Sequence, residues 1–130
     1  MEFINNDEII GLDCGASKVL VQSAVHDSKQ SLISPGKLQQ EYFFSDHLNW
    51  NKNYIPVQIK IQIQENIDNR LTINGLEKKQ GDVIVDTINN ILNKFNNNKI
   101  GICFPGLKTK EGVSVLVNGP RIPNLLKRLN

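Results

Sequence analysis

At 130 residues the chain is long enough for one domain with a real core, and its 39% hydrophobic content excludes a disordered polymer. A formal net charge of +2, spread over scattered basic residues, is too small to argue for a nucleic-acid or membrane surface. No apolar run reaches the length of a membrane span, and the acidic, Asn-rich start is not a secretory signal, so a cytoplasmic protein is expected.

The first predicted elements are two strands. Ile9, Ile10 and Leu12 lead to Asp13; Gly15, Ala16, Ser17 and Lys18 follow, and Val19, Leu20 and Val21 open a second apolar run. Glycine lets a backbone approach a ligand closely, and the N–H groups and the Ser17 hydroxyl of such a turn can face an anion. Asp13, at the end of the first strand, could hold a magnesium ion directly or through water. A carboxylate beside an anion-accepting turn points to nucleotide handling. The turn enters a strand, however, and neither a G-x-x-x-x-G-K-[ST] loop nor a helix-opening G-x-G-x-x-G is present, so an ordinary hairpin remains open.

Ser34, Pro35 and Gly36 read as a turn, and residues 37–44 as a third strand ending in Tyr42, Phe43 and Phe44. A polar loop follows, with Trp50 near its middle; its ring could face a sugar, although packing on its own loop is the commoner use of such an aromatic. Val57, Ile59, Ile61 and Ile63 alternate with Gln58, Lys60 and Gln62, which predicts a half-buried strand over 57–63, with residues 70–74 as a hairpin partner. Residues 45–79 are thus expected to form a β-rich insertion. Ile84, Ile88, Ile91, Leu92 and Phe95 make a helical stripe over 82–96, with Asp82 as N-cap and Asn96 to Asn98 as the stop. A strand over 99–104 ends at Pro105 and Gly106; a short strand over 113–117 and a helical tail within 120–130 complete the order. Three strands, then helix and strand, predict an α/β fold: a mixed β-sheet with flanking helices.

Cys14 and Cys103 lie far apart within or beside apolar strands and read as buried reduced thiols. With His26 and His47 they show no zinc spacing, and neither histidine has a recognisable Ser, Cys or Asp partner in the sequence.

The opening segment IIGLDCGASKVLVQSAV resembles the first phosphate motif of the actin-like ATPase superfamily. Within it, Ile100 to Gly106 (IGICFPG), the later Gly112-Val113 and Pro120 to Leu126 (PRIPNLL) resemble the ROK family of glucokinase-like sugar kinases and sugar-responsive repressors. The resemblance covers both ends of the chain and leaves 43–79 unmatched in detail. It implies a ribonuclease H-like, actin-like ATPase N-terminal lobe over 1–130. It also implies Mg-ATP as cofactor and a sugar substrate in a cytoplasmic transferase. Asp13 takes the place of the family's residue near the magnesium and the transferred phosphate. Gly15, Ala16, Ser17 and Lys18 would line the phosphate turn, with Ala16 and Ser17 in place of the more usual Gly and Thr. Pro105 and Gly106 would border the sugar pocket at the carboxyl end of a strand.

The family's catalytic base, an Asp in an Asn-Asp-Ala-type motif, is not among these residues, nor is a second phosphate motif. No catalytic residue is therefore assigned, and a complementary C-terminal lobe, in cis or in trans, or self-association, is expected. The alternative is a non-catalytic sugar- or nucleotide-binding module, a degenerate or truncated family member. Repressor members carry a helix-turn-helix before the first motif; only seven residues precede Glu8, so DNA binding by that route is not expected. With the small net charge and no membrane-length apolar run, neither a nucleic-acid nor a membrane partner is expected.

Overall fold

The computed structural model describes residues 7–109, 112–116 and 118–130. Strands β1 (Ile9–Cys14), β2 (Lys18–Asp27) and β3 (Leu32–Phe43) run as an antiparallel meander, and β4 (Lys99–Cys103) joins β1 in parallel, giving the order β3-β2-β1-β4. This is the expected α/β arrangement of a mixed sheet with helices beside it. Alternation sorts the strands by face: Ile10, Leu12 and Cys14 of β1 and Val19 and Val21 of β2 are buried. They share one core with Val83, Ile84, Ile88, Ile91 and Leu92 of helix α2 (Gly75–Lys94). Asp13 lies on the opposite face of β1.

Several expectations about the elements are corrected. Ser34, Pro35 and Gly36 do not turn: β3 runs straight through them, and the reversal falls at Asp27 to Ser31. There the Asp27 carboxylate accepts the N–H groups of Lys29 and Gln30, and Ser31 takes a left-handed φ of 53°. Proline is tolerated because β3 is an edge strand. Gly36 is required for a different reason: a Cβ there would stand 2.2 Å from the Ser23 hydroxyl, which binds the Leu38 N–H at the bulge between Gln22 and Ala24.

The expected strand over 57–63 is a helix, α1 (Ile59–Ile67), and residues 70–74 form no hairpin with it. The stretch 45–79 is helical and irregular, not β-rich: a 3₁₀ turn at Phe44–Asp46, then α1, then the first turn of α2. A strand needs a neighbour for its N–H and C=O groups, whereas a helix satisfies them within itself. Helix α2 begins at Gly75, well before the stripe over 82–96, with Asn74 as its N-cap accepting the Glu77 N–H at 2.8 Å. Asp82 lies inside the helix, bound to Lys78 and Arg128. The helix ends at Lys94, just before the asparagine run.

Beyond β4, a small hairpin of β5 (Leu107–Thr109) and β6 (Gly112–Val115) leads to a short helix α3 (Leu125–Arg128). The expected strand over 113–117 is thus β6, shifted by one residue at its start, and Val117 lies outside the described residues. No helix among the described residues is long and apolar enough to cross a membrane.

Candidate functional site

Because β1 and β4 are parallel, their C-terminal ends fall on one edge of the sheet, with Asp13 beside Cys103 in register. A cleft of about 170 Å³ opens at that edge. Gly15 and Ala16, from the turn after β1, line one side, and Pro105 and Gly106, from the end of β4, line another. Leu116, Asn118 and Gly119 form a third wall, and Ile84 of α2 and Phe104 contribute apolar surface. Two segments from opposite ends of the chain, singled out separately in the sequence, thus share one cleft.

The turn is closed by the Gly15 N–H donating to the Lys18 carbonyl at 2.8 Å, while the Ser17 carbonyl accepts the Phe44 N–H at 3.0 Å. Gly106 sits at φ 94°, a left-handed conformation that lets the chain turn out of β4 at the cleft. Asp13 is exposed at the end of β1, and among the described residues no hydrogen bond or ion pair occupies its carboxylate. Ser17 is exposed on the turn but does not line the cleft. Lys18 stands apart: its Nζ is 2.7 Å from Glu41 Oε1 and 5.6 Å from the centre of the Phe43 ring, on β3.

The third wall is fastened by polar groups that the sequence reading did not single out. Gln62 of α1, 1% exposed, acts as a one-residue strand partner for Leu116. Its amide donates to the Leu116 carbonyl at 2.6 Å and accepts the Leu116 N–H at 2.6 Å. Arg121 is also 1% exposed, and its Nε and Nη2 hold both oxygens of the equally buried Glu77 at 2.9 and 2.8 Å. It also donates to Glu65 of α1 and to the Thr72 carbonyl, and its own N–H reaches Glu77 at 3.0 Å. The Glu77 hydrogen bonds hold the guanidinium above its ordinary pKa, against the opposing effect of burial. Burial first, and then the charge of Glu77, push the nearby Tyr54 hydroxyl up to about 12. A faint signal of this clamp existed in the pattern Asn74-x-x-Glu77, which marks a helix start. Nothing in it named Arg121 as the partner.

Trp50 packs on its own loop, stacked against Phe44 with ring centroids 5.7 Å apart. Cys14 is buried as expected, but Cys103 is exposed. His47 does have an acidic neighbour: its Nδ1 accepts the Asn49 N–H at 3.0 Å, which leaves Nε2 to donate to Asp86 at 3.2 Å. The pair borders a second, more open hollow with Lys79 and Asp82, and no hydroxyl or thiol nucleophile lines it.

No three His, Cys, Asp or Glu side chains are grouped as metal ligands among the described residues. A lone, unneutralised carboxylate such as Asp13 suits magnesium, which keeps most of its waters and binds through one or two carboxylates together with substrate phosphates. Comparison of the chain with protein-family models, with curated proteins and with solved structures finds no match.

Proposed function

We propose that the chain is the N-terminal lobe of a ROK-like, ATP-dependent sugar kinase, with the actin-like ATPase form of the α/β fold. One observation carries the reading: the turn after β1 and the Pro105-Gly106 end of β4, the two segments that resemble the family's motifs, line a single cleft. The strand order β3-β2-β1-β4, with only β4 parallel to β1, supports it by bringing both segments to one edge. Ligands of open α/β sheets sit at that edge, outside the carboxyl ends of the strands.

In this reading the backbone N–H groups of Ala16 and Ser17 and the Ser17 hydroxyl receive phosphate oxygens, the Gly15 N–H being already used within the turn. Asp13, on the sheet face away from α2 and outside the cleft lining, holds the magnesium that accompanies ATP, directly or through water. The phosphates therefore lie over the β1–β2 turn and not deep in the cleft, and that ion supplies their charge neutralisation. Lys18, held by Glu41, braces the hairpin from the sheet and acts on the phosphates only if that ion pair opens. Pro105, Gly106 and Asn118 present the sugar side of the cleft. Phosphoryl transfer needs charge stabilisation from several sides, so this lobe binds and positions, and the base comes from a complementary lobe.

The test is an amide chemical-shift titration of the chain with Mg-ATP and with a panel of hexoses. Nucleotide is expected to move Gly15, Ala16 and Ser17, and a hexose to move Gly106 and Gly119. Asp13→Asn should remove the magnesium-dependent part of the nucleotide response. Silence of both sets of amides sinks the proposal. A hexose response without any nucleotide response selects the non-catalytic binding module instead.

A further inference from the structure

The sheet face away from α2 carries a short diagonal of charge at its ligand edge. Val19 and Val21 are buried against the core, so by alternation Lys18 and Leu20 point outward, as Asp13 does. Leu20 lies opposite Asp13 of β1 on one side and opposite Glu41 of β3 on the other. Lys18 is one same-face step along β2 and is therefore a diagonal neighbour of both carboxylates. Diagonal neighbours stand about 7–8 Å apart, within reach of a long side chain. The lysine goes one way only: its Nζ is 2.7 Å from Glu41 and leans over the Phe43 ring, 5.6 Å from its centre. The Asp13 carboxylate is left without an ion pair among the described residues.

We propose that Glu41 is a positioning residue for the cation site: by holding Lys18 on β3 it keeps the ammonium off Asp13 and leaves that carboxylate open to a divalent cation. The inference rests on the magnesium role given to Asp13 above. An ammonium group and a magnesium ion compete for the same carboxylate lone pairs, so an uncommitted lysine on the diagonal would have to be displaced before the metal could bind. Glu41 removes that competitor, and Phe43 favours the same side by offering its ring to the ammonium. The two charged side chains are 40% and 45% exposed. An exposed pair of this kind shifts an equilibrium by about fivefold at most, so it biases the lysine without locking it. Lys18 thus stays available to phosphate oxygens that a nucleotide brings over the turn, while Asp13 stays available to the ion that accompanies them.

A magnesium chloride titration of the full chain without nucleotide, followed at the Asp13 side-chain carboxyl carbon by NMR, tests this, with circular dichroism to confirm that each variant is folded. Glu41→Gln should weaken magnesium at Asp13 about fivefold, and should bring the Lys18 ε-protons into nuclear Overhauser contact with the Asp13 β-protons. Adding Lys18→Met to Glu41→Gln should restore the wild-type affinity. Adding Gln39→Glu instead returns the lost charge to the same face of β3, but one same-face step further from Lys18. The weakening should then persist. Recovery in that charge-relocated variant would mean that Glu41 acts only through its field, and overturns the proposal. So does an unchanged affinity in Glu41→Gln, or a wild-type Asp13 carboxyl carbon that does not respond to magnesium. Failure of the kinase reading is seen elsewhere: silent Gly15, Ala16 and Ser17 amides with Mg-ATP would sink that reading, while a magnesium response at Asp13 that depends on Glu41 would still stand.

Discussion

Cys14 and Cys103 show how much one step along a strand decides. Asp13 pairs with Cys103 across the parallel β1–β4 ladder, so Cys14 lies one residue further on and points to the other face of the sheet. Cys14 is buried in the core, and burial first, then the charges of Asp13 and Cys103, push its thiol up to about 12. Cys103 is exposed. Iodoacetamide at about pH 8, just under the ordinary thiol value, should therefore modify Cys103 in the native chain and reach Cys14 only after denaturation, as read by peptide mass spectrometry. The linkage has a definite sign. The unfolded chain loses the Cys14 proton near the ordinary value of 9.0 while the folded chain keeps it to about 12, so stability declines as pH rises above about 9. Equal labelling of both native thiols would contradict this placement of β1 and β4.

At the scale of elements, the segment after β6 is held by polar side chains as well as by the packing of Leu116, Ile122 and Leu125 in the core. Gln62 and Glu65 of α1 and Glu77 of α2 take the Leu116 and Arg121 groups that no strand or helix satisfies. Glu77 carries the most, because it and Arg121 are both 1% exposed. Glu77→Ala leaves a buried guanidinium with one of its two carboxylates gone, and should cost about 3–5 kcal/mol, seen as a lowered urea midpoint. Glu65→Ala removes a partner that is 21% exposed and should cost distinctly less. Similar losses for the two variants would mean that water reaches the Arg121 site. The same clamps explain why α2 extends seven residues N-terminal to Asp82. Its first turns bury Glu77, Gln80 and Gly81, a polar face that hydrophobic periodicity does not register.

At the scale of the whole molecule, the cleft exists because β4 returns beside β1 in parallel, with α2 as the crossover's principal helix. A ligand seated there touches the β1–β2 turn, the end of β4, the segment after β6 and α2 together, and so stabilises the fold as a unit. If the proposed reading holds, Mg-ATP and a hexose at about a hundred times their dissociation constants should each add about 2.7 kcal/mol to the unfolding free energy. A thermal shift assay checks this. An unchanged melting temperature at concentrations that saturate the amide shifts would place those ligands on the unfolded chain as well.

The β1–β2 hairpin, the apolar stripe of α2 and the glycines at both motifs were legible in the sequence, since each rests on near neighbours: alternation, helical period, turn chemistry. Asp13, Gly15, Ala16, Ser17 and Lys18 could be named in advance as candidates. That Gly15 and Ala16 would line the cleft while Lys18 is drawn to Glu41 could not, because Glu41 comes from another strand. The alternating isoleucines over 57–63 describe a strand as well as they describe a helix with its apolar residues left outside. Only the tertiary structure chose, by giving Gln62 the Leu116 backbone as its partner. Local pattern therefore determined which elements could form and which residues could be named as candidates. Pairing between distant segments decided what α1 became, where α2 begins and that two far-apart motifs meet, because a buried polar group is settled by the partner it finds in space.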